Sequence, residues 1–144
     1  MRTPKKLIVL SLGLCAAAGA VTAFAADDVI TAPPPQKYYA AIEVVNGGAD
    51  LDEAKAIERI AAQYPLRVEI SGRGGAYYVT DHLTLMQRDS VVADIPDAGP
   101  WVLMNVPAGR YTLVGDFGGT QLRRNVTVAD SGTMVHWVVP STLE

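Results

Sequence analysis

Two histidines, one of them beside an aspartate, and several aromatic residues are the side chains of this sequence best equipped for chemistry. His82 follows Asp81, and a neighbouring carboxylate can orient an imidazole for proton transfer. That use needs a nucleophile or a substrate group within reach. The sequence has no Gly-x-Ser-x-Gly turn to raise a serine for attack, so Asp81-His82 reads as a polar turn. His136 is the other histidine. The two lack the His-x-His or His-x-x-x-His spacing that brings two imidazoles to one ion. No catalytic residue, metal ligand or cofactor site is assigned, and the chain is expected not to be an enzyme.

The aromatic residues offer a second kind of chemistry. Tyr38-Tyr39 and Tyr77-Tyr78 are adjacent pairs, and Trp101 stands apart. Side chains alternate along a strand, so one member of each pair points outward. An outward row of rings can stack on sugars or anchor a protein partner. Tyr77, Tyr78 and Trp101 are therefore the candidate ligand-binding residues. The competing use is packing, because a sheet face covered by a helix needs large apolar side chains. Arg73, Arg123 and Arg124 are scattered basic residues and read as parts of solvated faces. Asn125-Val126-Thr127 fits a glycosylation acceptor pattern but reads as ordinary strand residues.

The elements that must hold these residues begin after a removable segment. Met1 to Lys6 is basic, Leu7 to Ala20 is apolar and rich in Ala and Gly, and Ala23-Phe24-Ala25 ends the stretch. This is the three-part pattern of a cleavable export signal over residues 1–25, with cleavage before Ala26 and a periplasmic destination. Its apolar run is short for a membrane span. Cys15, the sole cysteine, falls inside it. Bulky Leu14 before Cys15 argues against lipidation of that cysteine, which calls for a small residue there. The processed chain would then have no disulfide and no Cys-ligated metal. Arg2, Lys5 and Lys6 would leave with the signal, so nine of the twelve basic residues remain against fifteen acidic ones, a net charge of about −6. That balance argues against nucleic acid and anionic lipid, which need a basic footprint.

Residues 26–37 contain Pro33-Pro34-Pro35 and read as an extended linker, leaving 38–144 as the folded domain. Tyr38 to Val45 is a strand candidate, ended by Asn46-Gly47-Gly48. One convincing helix follows. Asp50 is an N-cap with Glu53 at capping-box spacing. Leu51, Ala54, Ile57, Ala61 and Tyr64 form an apolar stripe widened by Ile60, and Pro65 stops the helix. From Leu66 on, short apolar runs alternate with Gly, Pro, Asp and Ser. Strands are expected at Leu66–Ser71, Ala76–Thr80 continuing to Leu83–Gln87, Val91–Asp94, Trp101–Asn105, Arg110–Asp116, Thr120–Val128 and Thr133–Val139. Pro107-Ala108-Gly109 and Gly118-Gly119 should close turns around Arg110–Asp116, making a hairpin with no catalytic residue in it. Regular short strands of this kind indicate an antiparallel sandwich.

The run Gly99-Pro100-x-Val102-Leu103-x-Asn105-Val106-Pro107-Ala108-Gly109-Arg110-Tyr111-Thr112, with Gly118-Gly119 and Asn125-Val126-Thr127-Val128 after it, resembles the carboxypeptidase regulatory-like domain. Together with Asn46-Gly47-Gly48 and the acidic helix before the sandwich, the chain is similar to small exported proteobacterial proteins of that type. The resemblance covers about residues 40 to 140. It implies a mostly β, antiparallel, seven-stranded transthyretin-like β-sandwich with one N-terminal amphipathic helix. It brings no activity and no functional residues. Asp81-His82 departs from the expected strand pattern, and a bulge or bend is expected there. Sandwiches of this kind do host enzymes, but the chain ends Val138-Val139-Pro140-Ser141-Thr142-Leu143-Glu144, without the Tyr-Arg-Gly-Ser type of tail that hydroxyisourate hydrolases use. The expected role is a non-catalytic accessory or binding module of the cell envelope, its partner an unknown envelope protein or glycan. Alternatives are a glycan binder using exposed aromatics, a small hydrolase, and an assembly subunit pairing through a sheet edge.

Overall fold

The computed structural model describes residues 32–143. The expected export signal and the first half of the expected linker, residues 26–31, lie outside the described residues. Among the described residues, no helix is long and apolar enough to cross a membrane.

The fold is mostly β, built from two sheets and one helix. A five-stranded sheet has the order β1 (Lys37–Tyr39), β2 (Ile42–Gly47), β6 (Trp101–Met104), β3 (Leu66–Ser71) and β9 (Thr133–Val138). A four-stranded sheet has the order β5 (Ser90–Ala98), β4 (Thr80–Gln87), β7 (Gly109–Phe117) and β8 (Thr120–Val128). Every pairing is antiparallel except β3 with β9, which is parallel. Among the described residues nine strands therefore replace the expected seven. The extra ones come from the amino-terminal side, where Tyr38–Val45 is two strands rather than one. Ala40 and Ala41 both adopt left-handed backbone (φ 48° and 69°) and turn the chain back between them. Alanine gives no hint of such a turn, because its side chain disfavours that conformation.

The sheets face each other across one core. Leu66, Val68, Ile70, Val102, Met104, Val135 and Trp137 from the first sheet meet Leu83, Leu85, Ile95, Tyr111, Leu113, Phe117 and Val126 from the second. The alternation expected for the β7 and β9 strands is present. Tyr111, Leu113 and Phe117 are buried while Thr112 and Asp116 are not, and His136 is exposed between buried Val135 and Trp137. Phe117 packs between Tyr78 and Trp137, with ring centres 5.9 Å from each.

Helix α1 (Leu51–Ala61) lies on the outer face of the five-stranded sheet. Its Ala54, Ile57 and Ala61, with Tyr64 beyond its end, pack on Val45, Trp101 and Leu103. Leu51, placed in the apolar stripe by its spacing, is 65% exposed instead. It sits in the first turn, before the helix reaches the sheet. Asp50 caps the helix by accepting from the Glu53 backbone N–H (2.8 Å). The Glu53 carboxylate turns back to the Gly48 N–H (2.7 Å) rather than to the cap residue. That arrangement explains the glycine pair. A Cβ on Gly47 would lie 2.9 Å from the Glu53 carboxyl carbon, and one on Gly48, at φ +87°, would lie 2.7 Å from the Trp101 ring. The linker ends sooner than expected, since Gln36 donates to the Tyr64 hydroxyl (3.1 Å) and Lys37 already belongs to β1.

Trp101 packs between the helix and the sheet. Trp101→Ala is expected to cost about 3–5 kcal/mol, the range for removing a buried large aromatic. A denaturant titration followed by far-ultraviolet circular dichroism measures it. A loss below 1 kcal/mol would mean that the helix does not rest on this ring.

Candidate functional site

The two sheets differ in what they leave open. α1 covers the outer face of the five-stranded sheet over β2 and β6, while His136 and Val138 of β9 stay exposed. The outer face of the four-stranded sheet carries His82, Thr84 and Met86 on β4, Arg110, Thr112, Val114 and Asp116 on β7, and Gln121, Arg123, Asn125 and Thr127 on β8. Their order follows from register: Arg110 opposes Thr127, Thr112 opposes Asn125, Val114 opposes Arg123, and Asp116 opposes Gln121. Strand alternation aims this whole set away from the core. The Thr112 hydroxyl donates to the Asn125 side-chain oxygen across the strands (3.2 Å).

At one end of this face is a shallow cleft of about 620 Å³ lined by Gln87, Arg88, Arg110, Tyr111, Thr112, Asn125, Val126 and Thr127. The β4–β5 turn supplies Arg88, at φ +57°, and the start of β7 supplies Arg110. Tyr111 and Val126 are buried and form its floor. No carboxylate lines it. The Tyr111 hydroxyl donates to the Pro107 carbonyl (2.7 Å), pinning the turn that launches β7. Burial pushes the Tyr111 phenol above its ordinary value of 10.0, because phenolate is costly away from water.

The residues singled out from the sequence do not gather here. Trp101 is buried under α1, with its indole nitrogen enclosed and without a hydrogen-bond partner. Tyr78 is half-buried; its hydroxyl donates to the Leu143 carbonyl (2.6 Å) and its ring rests on Phe117. Tyr77 alone of these three is exposed, at 42%. These rings make no common platform, which corrects the exposed-row expectation. The reason is the one weighed against it, that the helix-covered face and the core consume the large rings. Tyr39 packs at the core margin.

Asp81 and His82 part company. Asp81 accepts from the Gly118 N–H at the β7–β8 turn (2.8 Å). His82 Nδ1 instead faces Asp94 across to β5 (3.2 Å), and Thr84 donates to the same carboxylate oxygen (3.2 Å). His82 pairs in register with Asp116 and with Pro96, so the bend expected there is absent. The register shift in β4 lies between Leu85 and Met86. His136 faces Glu69 (2.9 Å) on the outer side of the other sheet. Each histidine thus has its own carboxylate, on opposite sides of the molecule. Among the described residues, no group of three or more His, Cys, Asp or Glu is placed to hold a metal ion.

Sequence reading missed the cleft because its members are far apart in the chain and individually ordinary. Arg123 was read as a solvated face, and that fits its place on the open sheet. Arg124 is different: it lies toward the gap between the sheets and its guanidinium donates to the His136 carbonyl (2.7 Å), stitching β8 to β9.

Compared with known proteins, the chain matches no protein-family model, and no curated protein sequence matches it.

Tyr111 gives a pH test of this end of the sheet. Its folded pKa is raised, so its contribution is complete below pH 10 and lost as pH climbs above the unfolded value toward the folded one. Tyr111→Phe is expected to be about 1 kcal/mol less stable at neutral pH, through the lost hydroxyl bond, and to show a shallower decline at alkaline pH than the native chain. Parallel denaturation curves from pH 7 to above 10 decide it. Identical slopes for the two proteins would remove Tyr111 as the cause.

Proposed function

We propose that the chain is an exported, non-catalytic binding module of the cell envelope, folded as a transthyretin-like sandwich related to the carboxypeptidase regulatory-like domain. The observation that carries this reading is the asymmetry of the two sheets. One outer face is covered by the helix over its β2 and β6 strands. The other presents a ladder of hydrogen-bonding side chains from Thr84 and Thr112 to Arg123, Asn125 and Thr127, with the cleft at its end. Convergent polar groups around a concavity are what recognition sites offer.

Several features support the parts of the proposal. The three-part pattern of residues 1–25 supports export to the periplasm. Two face-to-face sheets of short, largely antiparallel strands, together with the Pro107-to-Tyr111 turn, support the fold resemblance. The separate carboxylate partners of His82 and His136 favour structural or surface roles for both over proton transfer. The glycan reading through Tyr77, Tyr78 and Trp101 loses its support with the burial of Trp101 and half-burial of Tyr78.

The test is capture from solubilised envelope proteins and, in parallel, from peptidoglycan, using the processed chain, residues 26–144. A partner competed by free chain, and lost when Arg123→Glu and Thr112→Ala are combined, is the expected result. A Lys55→Glu change on the exposed helix face should leave capture intact. Capture abolished by the helix change but not by the sheet changes would overturn the assignment of the open face.

A further inference from the structure

The helix region mixes acidic Asp50, Asp52, Glu53 and Glu58 with basic Lys55 and Arg59, whereas β8 holds Arg123 and Arg124 and no acidic residue. The cleft at the end of the open sheet continues that basic side, with Arg88 and Arg110 on its rim. The ion pairs between described residues, His82 with Asp94 and His136 with Glu69, involve neither arginine. Arg88 and Arg110 are both exposed, and among the described residues neither guanidinium makes a hydrogen bond. Two guanidinium groups border one carboxylate-free cleft and take part in neither of those ion pairs. An anion shared between them supplies what the protein withholds.

The rest of the lining narrows the ligand. Guanidinium groups favour planar or tetrahedral oxyanions with two-point hydrogen bonding. Gln87 and Asn125 offer amides that both donate and accept, and Thr112 and Thr127 offer hydroxyls. Such groups suit alcohols, which also donate and accept. An oxyanion flanked by hydroxyls is the chemistry of an acidic sugar. We propose that the Arg88–Arg110 cleft binds an acidic carbohydrate, the arginines taking its carboxylate or phosphate and the amides and hydroxyls its ring hydroxyls. This rests on the binding-module reading of the open sheet and adds the ligand class. The negative net charge of the whole chain is not an obstacle at this range, since charges beyond about 10 Å are screened at ordinary salt.

The test is an amide-shift titration of the isotopically labelled processed chain with four probes: trigalacturonate, glucose 6-phosphate, maltotriose and inorganic phosphate. The first two carry the oxyanion as carboxylate and as phosphate and separate those sources. The expected result is saturable shifts at Arg88, Arg110, Asn125 and Thr127 with at least one acidic sugar. Maltotriose should bind at least tenfold more weakly. The combined Arg88→Ala and Arg110→Ala change should weaken the acidic sugar about tenfold while leaving the rest of the amide spectrum in place. Conservative Arg110→Lys should restore part of the affinity, which a merely unfolded variant would not do. Equal binding of maltotriose would overturn the role of the anion. Inorganic phosphate binding as tightly as the sugars would reduce the cleft to an adventitious ion site only and overturn the carbohydrate assignment. Shifts confined to other parts of the open sheet, or none with any probe, would also overturn it. Captured envelope protein competing at that sheet would still uphold the binding module, so the two readings fail separately.

Discussion

Strand β6 is buried on both of its faces, and the layout of the molecule follows from that. All four residues of Trp101–Met104 are enclosed. Val102 and Met104 point into the core between the sheets, and Trp101 and Leu103 point into the second apolar cluster beneath α1. A strand in that position needs a cover on each side, because an unburied pair of this size forfeits several kcal/mol of transfer free energy. The opposite sheet provides one cover and the helix the other. Once the helix is spent on the five-stranded sheet, nothing of comparable size is left for the four-stranded one. Its outer face must live in water, and apart from Met86 and Val114 the residues placed on it are polar. The surface proposed for recognition is thus a consequence of where the single helix had to go.

This also explains what could be read from the sequence and what could not. Strands β3, β7, β8 and β9 lie within one or two residues of their expected bounds; in β3 and β9 the burial alternates, and β7 and β8 are bounded by the Pro107-Ala108-Gly109 and Gly118-Gly119 turns. The helix was legible from the Asp50–Glu53 spacing and from Ala54, Ile57 and Ala61. Trp101 was ambiguous in principle. A run of four apolar residues has no alternation, and periodicity cannot tell a doubly buried strand from one with an outward ring. Ala40-Ala41 hid a turn because the residues that make left-handed turns easy were not used. Asp81-His82 misled in the opposite way. Two adjacent polar residues suggested a bend, but Asp81 is drawn to a turn amide on β7–β8 while His82 stays in register. The Arg88–Arg110 cleft was invisible because it is assembled by pairing of β4, β7 and β8, and no local spacing encodes that.

The margins of the sandwich are closed by polar stitches rather than by apolar contact. On one side the Asn46 side chain donates to the Asp97 carbonyl and accepts from the Gly99 N–H, tying β2 to the end of β5. On the other, Arg124 reaches from β8 to the His136 carbonyl of β9. Each stitch uses backbone groups that an edge strand would otherwise offer to another chain. Edge strand β5 also contains Pro96 and the charges Asp94 and Asp97, and both prolines and charges blunt pairing along an edge. These features weigh against strand addition as the mode of partner recognition and in favour of the face of the sheet.

A face of this kind recognises weakly at any single point. Exposed charge pairs contribute about 0.2–1 kcal/mol each, and a neutral hydrogen bond about 0.5–1.5 kcal/mol. Two arginines, two amides and two hydroxyls sum to a modest affinity even before the cost of immobilising the ligand. Such a site serves a soluble monosaccharide poorly. It serves a polymer well, because successive units of one chain stay near the surface and each dissociation is followed by rapid rebinding at high effective concentration. Past Thr112 and Asn125, which line the cleft, Arg123 carries the polar ladder one step farther along β8, where a polymer would lie. On the proposed reading, the open sheet and the rimmed cleft are parts of one extended surface, with the arginines fixing position and the ladder supplying length.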